Sequence, residues 1–496
     1  MYEQLLKTIG NLGAPKILVV GDFMLDVYIY GDVARISPEA PVPVLRVTET
    51  EQRCGGAASV AADIAALGAE PICIGVVGDD EHGEMLGDIL AAQGADTAGL
   101  RKVPGRPTIT KQRLIGLAQH RHKQQMMRID RDSAEPLSLE LAEHILRRYR
   151  QCLSEAEIVC LQDYNKGMLA PLLCKQIIGL AREAGKKVLV DPMPGQDYTS
   201  YCGATMLTPN RHEAATATGT DIGSAAEAAV AAHHLRKDLG LDAVVITLDK
   251  EGAYLATEDI GELVPARPRN VYDVTGAGDA VLATLAVSLA ADSDYLTAVH
   301  LANIAGGIVV EKFGTATATV SEMVHEIAKQ FGAANTKLRP RDSLLVEIKG
   351  QRQRGRTVVF TNGCFDVIHR GHIDYLQFCK TQGDVVVVAV NSDSSVRQLK
   401  GEGRPINNQY DRAAVLAGLE TVDFVTIFEE PTPTKLIEQI HPDVLIKGGD
   451  WGGIEGVVGH EVVLAYGGKV MVAPLVKGKS STATIERIRA LRARTS

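Results

Sequence analysis

The sequence predicts an α/β protein made of two units, each a mostly parallel sheet covered by helices. Three observations carry that expectation. Short apolar runs of strand length alternate with alanine-rich segments of helical spacing. Aromatic residues are only 4% while Gly 48 is high for the length, the profile of buried parallel strands joined by many backbone turns. A length of 496 residues corresponds to two or three domains at roughly 100–200 residues each.

In chain order, Lys16–Val20, Pro71–Gly75, Ile158–Leu161, Lys187–Asp191 and Ala243–Thr247 read as strands. Ala57–Leu67 and Leu172–Ala184 have the spacing of helices between them. The rhythm weakens after Phe313, and the stretch from Phe331 to Arg356 contains Pro340 and the basic run Lys349–Arg356, which reads as a solvated linker. A second series begins at Thr357–Thr361 and continues through Asp384–Val390. The expected division is a first domain over 1–330, a linker over 331–355 and a second domain over 356–496.

A net charge of −9 argues against broad electrostatic binding to nucleic acid, so any phosphate must be held locally. The eight cysteines are scattered and none forms a C-x-x-C pair, which points to reduced thiols and a cytoplasmic protein. With Glu3 near the start and the first apolar run only at Ile17, no signal peptide is expected. No apolar stretch approaches the roughly 20 residues that cross a bilayer, so no membrane partner is expected.

The most informative segment of the first half is Asp273-Val-Thr-Gly-Ala-Gly-Asp279, followed by small apolar residues. Gly276 and Gly278 let the backbone approach a ligand, and a helix beginning at Ala277 offers free amides to a phosphoryl group. Asp279 beside that anion hole can accept a proton from an attacking hydroxyl. Two other readings are a dinucleotide fingerprint, which Val281 at the third small position disfavours, and a plain capped helix start. A Walker motif is absent, since Ala473 stands where Gly478-Lys-Ser480 needs its upstream glycine.

Asp273–Asp279 resembles the C-terminal signature of the ribokinase-like sugar kinases, the phosphofructokinase B family. Gly55-Gly56-Ala-Ala-Ser59 through Gly68 resembles its N-terminal signature, with Ser59 where the family usually carries asparagine. The resemblance implies a three-layer sandwich with a small β lid, with Gly276, Ala277, Gly278 and Asp279 as the catalytic group. It also implies nucleotide contacts at Asn210, Glu213, Lys250, Gly252 and Asn303, with ATP as phosphoryl donor and Mg²⁺ held through Glu213, by way of water. Gly21–Asp26, Arg35–Pro43, Gln124–Asp130, Asp163–Gly167 and Glu311–Thr315 look like segments of heptose 7-phosphate kinases. On that likeness the sugar side comprises Asp22, Asp26, Gly55, Gly56, Ser59, Lys111, Arg113, Arg128, Asp163 and Lys166. Taken alone, Asp22 could equally be a strand-end turn residue, and the three basic residues a solvated face.

The second half opens on Thr361-Asn-Gly-Cys-Phe-Asp366 and then His369-Arg-Gly-His372. A strand ends in a glycine turn, and two imidazoles three residues apart share one face at a helix start, an arrangement suited to a triphosphate. Zinc binding lacks the H-E-x-x-H spacing and a recognisable third ligand. The pattern resembles the cytidylyltransferase-like nucleotidyltransferases with a Rossmann-like fold. That likeness implies nucleotide contacts at Asn362, Gly363, Phe365, His369, His372, Asp393, Lys400, Ser481 and Thr482, and a sugar-phosphate contact at Lys447. Cys364 has no activating base in the motif and reads as structural.

The order of the two halves resembles the bifunctional heptose-phosphate kinases and heptose 1-phosphate adenylyltransferases of ADP-heptose synthesis. The family implies phosphosugar and ATP substrates, a separate bisphosphate phosphatase acting between the steps, and a homodimer or larger assembly. Two rivals remain at this level: a fused enzyme for another phosphosugar or polyol, and a regulatory protein with an inactive kinase half.

Overall fold

The computed structural model describes residues 1–117, 123–267, 269, 271–330, 337–401, 403–448 and 453–474. The chain divides into two compact units, the first running to Met323 and the second from Val324.

In the first unit, strands buried on both faces form the middle of three layers. Lys16–Gly21, Glu70–Gly78, Asp96–Val103, Ile158–Gln162, Lys187–Asp191, Met206–Leu207 and Ala243–Thr247 pair in parallel. Gly252–Ala256 and Gly261–Pro265 extend one edge in antiparallel, completing a nine-stranded sheet. Leu18, Val20, Ile72, Ile74, Val159 and Leu161 point to one face, where they meet Ile145, Tyr149, Leu173, Ile177 and Leu235 of the covering helices. The other face carries the helices Ala57–Ala66 and Ala277–Ala290. The second of these is apolar all round and buried from Ala280 to Leu289, as a helix must be when helix and sheet both pack on it.

A separate four-stranded sheet orders Pro43–Gly56, Phe23–Ile36, Ile109–Leu117 and Gln124–Arg131. It is the small β lid expected. Its register aligns Asp26 with Arg53, Lys111 and, one strand on, Asp130; the next row aligns Tyr28 with Glu51, Arg113 and Arg128. Residues two apart on a strand share a face, so both rows lie on one side of the lid.

The second unit has five parallel strands in the order Phe424–Phe428, Val385–Asn391, Val358–Gly363, Val444–Gly448, Lys469–Ala473. Both faces are packed, one around Phe360, Val387 and Leu445, the other around Val359, Val388 and Ile446. The strand order reverses beside Val358–Gly363, and crevices at such a reversal hold ligands.

Part of the stretch expected as a linker is folded. Arg341–Gln353 is a helix whose Leu344 and Ile348 are buried in the second unit's core. Ahead of it, Leu338 pairs with Val425 at the sheet edge, and Arg339 is buried against Glu347. The basic composition hid an i, i+4 apolar pair. Within the basic run, Lys349 and the stretch 353–356 are exposed as a linker would be.

Candidate active sites

Asp279 lies in the first turn of the helix that begins at Ala277, buried to 4% exposure. Gly276 caps that helix at φ 84°, a left-handed conformation that a side chain would strain, and it aims the first amides outward. Upstream, Asp273 accepts hydrogen bonds from Thr275 N at 3.0 Å and Gly314 N at 3.0 Å, fastening the loop. Burial pushes the Asp279 carboxyl up to about 6, against hydrogen bonds from Ser59 and Tyr164 and the charge of Lys111. Ser59 therefore reaches the base despite being shorter than asparagine.

The lid residues gather above this base. Lys111 sits 4.7 Å from the centre of the Tyr164 ring, and burial lowers its pKa. Asp26 and Arg113 form a buried ion pair at 2.8 Å, and a side chain at Gly55 would meet the Asp26 carboxyl at 3.0 Å. Arg128 is exposed and paired with Asp130. Lys111 and Arg113 thus stand where a sugar phosphate can be held, with Arg128 at the rim.

Other expected sugar contacts are occupied with holding the loop after Asp163. Asp22 accepts from Tyr164 N at 2.9 Å, Lys166 N at 3.1 Å and Met168 N at 3.4 Å. Asp163 accepts from Tyr201 Oη at 2.8 Å and Asn165 N at 2.8 Å. Burial, with Asp163 nearby, raises Asp22 to about 6. Lys166 pairs with Asp132 at 2.5 Å, and Gly56, at φ 56°, starts the helix Ala57–Ala66.

On the nucleotide side, Asn210 and Glu213 form a capping box on the helix Arg211–Thr218, each side chain accepting the other's backbone N–H. Burial raises the Glu213 carboxyl, and burial first, then Glu213 and Asp279, raises that of Asp191 well above the usual range. Asp191, close to Gly278, was no part of the expected set. Its only sequence signal is that it ends a strand. Two carboxylates beside the anion hole are the hard oxygen donors that Mg²⁺ takes alongside substrate phosphates. Lys250 is exposed on a short turn before the buried Gly252, and Asn303 donates to Val264 O at 2.8 Å.

In the second unit, His369 caps the helix Arg370–Thr381 and its backbone N–H donates to His372 Nδ1 at 3.3 Å. The two imidazoles stack at 4.0 Å, and Phe365, at φ 45°, lies 5.3 Å from His372. Burial first, then His369 and Lys400, push His372 down to about 4. With Nδ1 accepting, the neutral ring carries its proton on Nε2, a donor ready for a phosphate oxygen.

Asn362 and Gly363 end the strand at this turn, and the Asn362 carbonyl accepts from the buried Lys447 at 2.9 Å. Asp393 accepts from Arg412 Nη2 at 2.7 Å. Arg412, fully buried, also donates to the carbonyls of Asn407, Cys364 and Asn391, tying three loops together. No motif marked it. Lys400 is exposed, while Ser481 and Thr482 fall outside the described residues.

The model of the pfkB family carbohydrate kinases matches residues 14–322, and that of the cytidylyltransferase-like group matches 360–487. The chain is 43% identical over 98% of its length to the bifunctional protein HldE of Mesorhizobium japonicum, covering 97% of that protein. It is 46% identical over 97% of its length to HldE of Ectopseudomonas mendocina, covering 99% of it. The chain belongs to the HldE family of bifunctional proteins. As an HldE-family member it joins a carbohydrate kinase to a nucleotidyltransferase.

Solved structures support the ribokinase-like fold of the first HldE unit. Phosphofructokinase-2 from Escherichia coli, in its tetrameric inhibited form, superposes with a TM-score of 0.53 at 18% identity, over 64% of this chain and 99% of that one. Arabidopsis thaliana ribokinase complexed with ribose and ATP gives 0.51 at 20%, over 63% and 99%. No helix among the described residues is long and apolar enough to cross a membrane.

Proposed function

We propose that the chain makes ADP-heptose in two ATP-dependent reactions, one in each unit. The observation that supports the reading is that Asp279 stands at the start of the glycine-capped helix, and His369 stacks on His372 at another helix start, in a chain that matches an HldE protein over 98% of its length. The presence of Asp279, Glu213, Gly276 and Gly278 weighs against an inactive kinase half.

In the kinase half, the ionised Asp279 accepts the proton of the O1 hydroxyl of D-glycero-β-D-manno-heptose 7-phosphate as that oxygen attacks the γ-phosphate of ATP. The amides at Gly276 to Gly278 stabilise charge on the transferring group. Lys111 and Arg113 hold the 7-phosphate, and Asp26 fixes the Arg113 fork. Asp191 and Glu213 are the residues that would hold Mg²⁺, which when bound neutralises phosphate charge.

In the second half, the oxygen of heptose 1-phosphate attacks the α-phosphate of ATP and pyrophosphate leaves. The His372 Nε2–H donates to the charge that develops. A separate phosphatase removes the 7-phosphate between the two steps. The active form is a homodimer, for which Ile36, Val47, Met127 and Ile129, exposed on the lid, supply apolar surface.

The test is to incubate the protein with Mg-ATP and heptose 7-phosphate, with and without a bisphosphate phosphatase, and to resolve products by mass spectrometry. A bisphosphate alone, converted to ADP-heptose when phosphatase is present, is expected. Absence of bisphosphate despite ATP binding would sink the heptose assignment.

A further inference from the structure

Gln162 belongs to none of the motifs that pointed to the kinase site, yet it stands at the centre of it. It ends the strand Ile158–Gln162, is fully buried, and is the register partner of Asp191 on the next strand. Partners on neighbouring parallel strands present their side chains to the same face, here the face under the helix that carries Asp279.

From that position the Gln162 carboxamide nitrogen donates to Asp191 Oδ2 at 2.7 Å and to Asp279 Oδ1 at 2.9 Å. A primary amide has two N–H groups, and both are used. Its oxygen is buried without a hydrogen-bond partner. Turning the amide over would set that oxygen against two carboxylates, so the two acids alone determine its orientation. Asp279 Oδ1 also accepts from Tyr164 Oη at 3.3 Å. A carboxylate oxygen has two lone-pair sites, so with Oδ1 taking both of these donors the incoming hydroxyl falls to Oδ2, beside the Ser59 hydroxyl.

We infer that Gln162 is a positioning residue of the kinase half: its amide nitrogen ties the Asp279 carboxylate to the Asp191 carboxylate and fixes the direction in which Asp279 accepts the substrate proton. The inference rests on the reading of Asp279 as the base.

The surroundings explain why an amide suits this place. Asp279 is faced by Ser59, Tyr164, Asp26 and Lys111, and by Asp63 from the helix Ala57–Ala66; Asp191 is faced by Thr208 and Glu213. So many carboxylates in a dry site repel one another and favour protonation. A cation between them would compete with Lys111 for the substrate phosphate. A neutral double donor opposes the protonation of Asp191 and bridges the two acids without adding charge.

The test compares Gln162→Met and Gln162→Asn with the parent, alone and in an Asp279→Asn background, measuring kinase kcat, both KM values and the pH profile. Adenylyl transfer by the same preparations reports the second half. Methionine keeps the length without the donors; asparagine keeps the donors but is too short to span both acids. The expected result for either is a loss of about 10–100-fold in kinase kcat, with KM for ATP and sugar within about threefold. The acidic limb of the profile should move up by about one pH unit. In the Asp279→Asn background the further loss should be under about threefold, because the group being positioned is already gone. A loss below about threefold with an unmoved limb, or the same loss in both backgrounds, would overturn the inference. Undiminished turnover by Asp279→Asn itself would overturn the assignment of the base, and the role of Gln162 with it.

Discussion

A base must be ionised to act, and burial holds the Asp279 carboxyl near 6 rather than at its ordinary 3.8. Kinase turnover is therefore expected to fall as pH drops through about 6 and to be level above it, which a kcat profile checks. Stability runs the other way. A carboxyl with a raised folded pKa favours the fold while protonated and loses that contribution as pH rises from 3.8 through about 6. At pH 7 the buried charge is a cost, so Asp279→Asn should lower turnover by about 10²–10⁴-fold, retain ATP binding and raise stability of the kinase half by about 1–3 kcal/mol in denaturant unfolding. His372 has the opposite displacement for the same physical reason, because burial disfavours its charged form. An NMR titration of the free protein should place its midpoint near 4, well below the ordinary 6.5. A midpoint near 6.5 would show that the ring is solvated and would remove the argument for a neutral donor.

At the scale of elements, the same residues serve fold and chemistry. Asn210 and Glu213 close a capping box that starts an eight-residue helix, and the proposed function puts the nucleotide phosphates beside that helix start. Removing the cap with Asn210→Ala should cost about 1 kcal/mol of stability and raise KM for ATP in the kinase reaction only. Adenylyl transfer measured in the same tube is the control. Arg412 plays the corresponding part in the second unit, where its buried guanidinium joins Asp393 to the carbonyls of three loops. Arg412→Met leaves the Asp393 carboxylate and these carbonyls without their donor. The expected loss is about 3–5 kcal/mol in the second unit's unfolding, with adenylyl transfer lost and kinase activity retained.

At the scale of the whole chain, two units with separate cores predict that each half survives alone when cut at the right place. A fragment over 324–496 should fold and transfer adenylyl groups. One starting at 356 lacks Leu344 and Ile348, buried at 0% and 1%, and each buried aliphatic side chain contributes about 1.5–3 kcal/mol. The shorter fragment should unfold at lower denaturant or fail to express, and equal stability of the two would show that the helix Arg341–Gln353 is dispensable. That helix was illegible because its composition is that of a linker, while its fold depends on two leucine-sized side chains finding a distant sheet. The parallel strands, the glycine-capped helix start at Gly276 to Asp279 and the histidine pair were legible, since each is a local pattern whose spacing directly sets its geometry. Asp22 and Asp163 were placed with the sugar, yet Asp22 holds backbone amides and Asp163 holds one amide and the Tyr201 hydroxyl, a choice of partner that spacing does not make. Gln162, Asp191 and Arg412 carry no local pattern at all. By itself the sequence determined where the glycine turns and the helix starts beside them fall, because both are written in consecutive residues. Only the tertiary structure decided which distant side chains share a dry pocket with Asp279, because burial and the displaced pKa that follows from it belong to neighbours more than a hundred residues away along the chain.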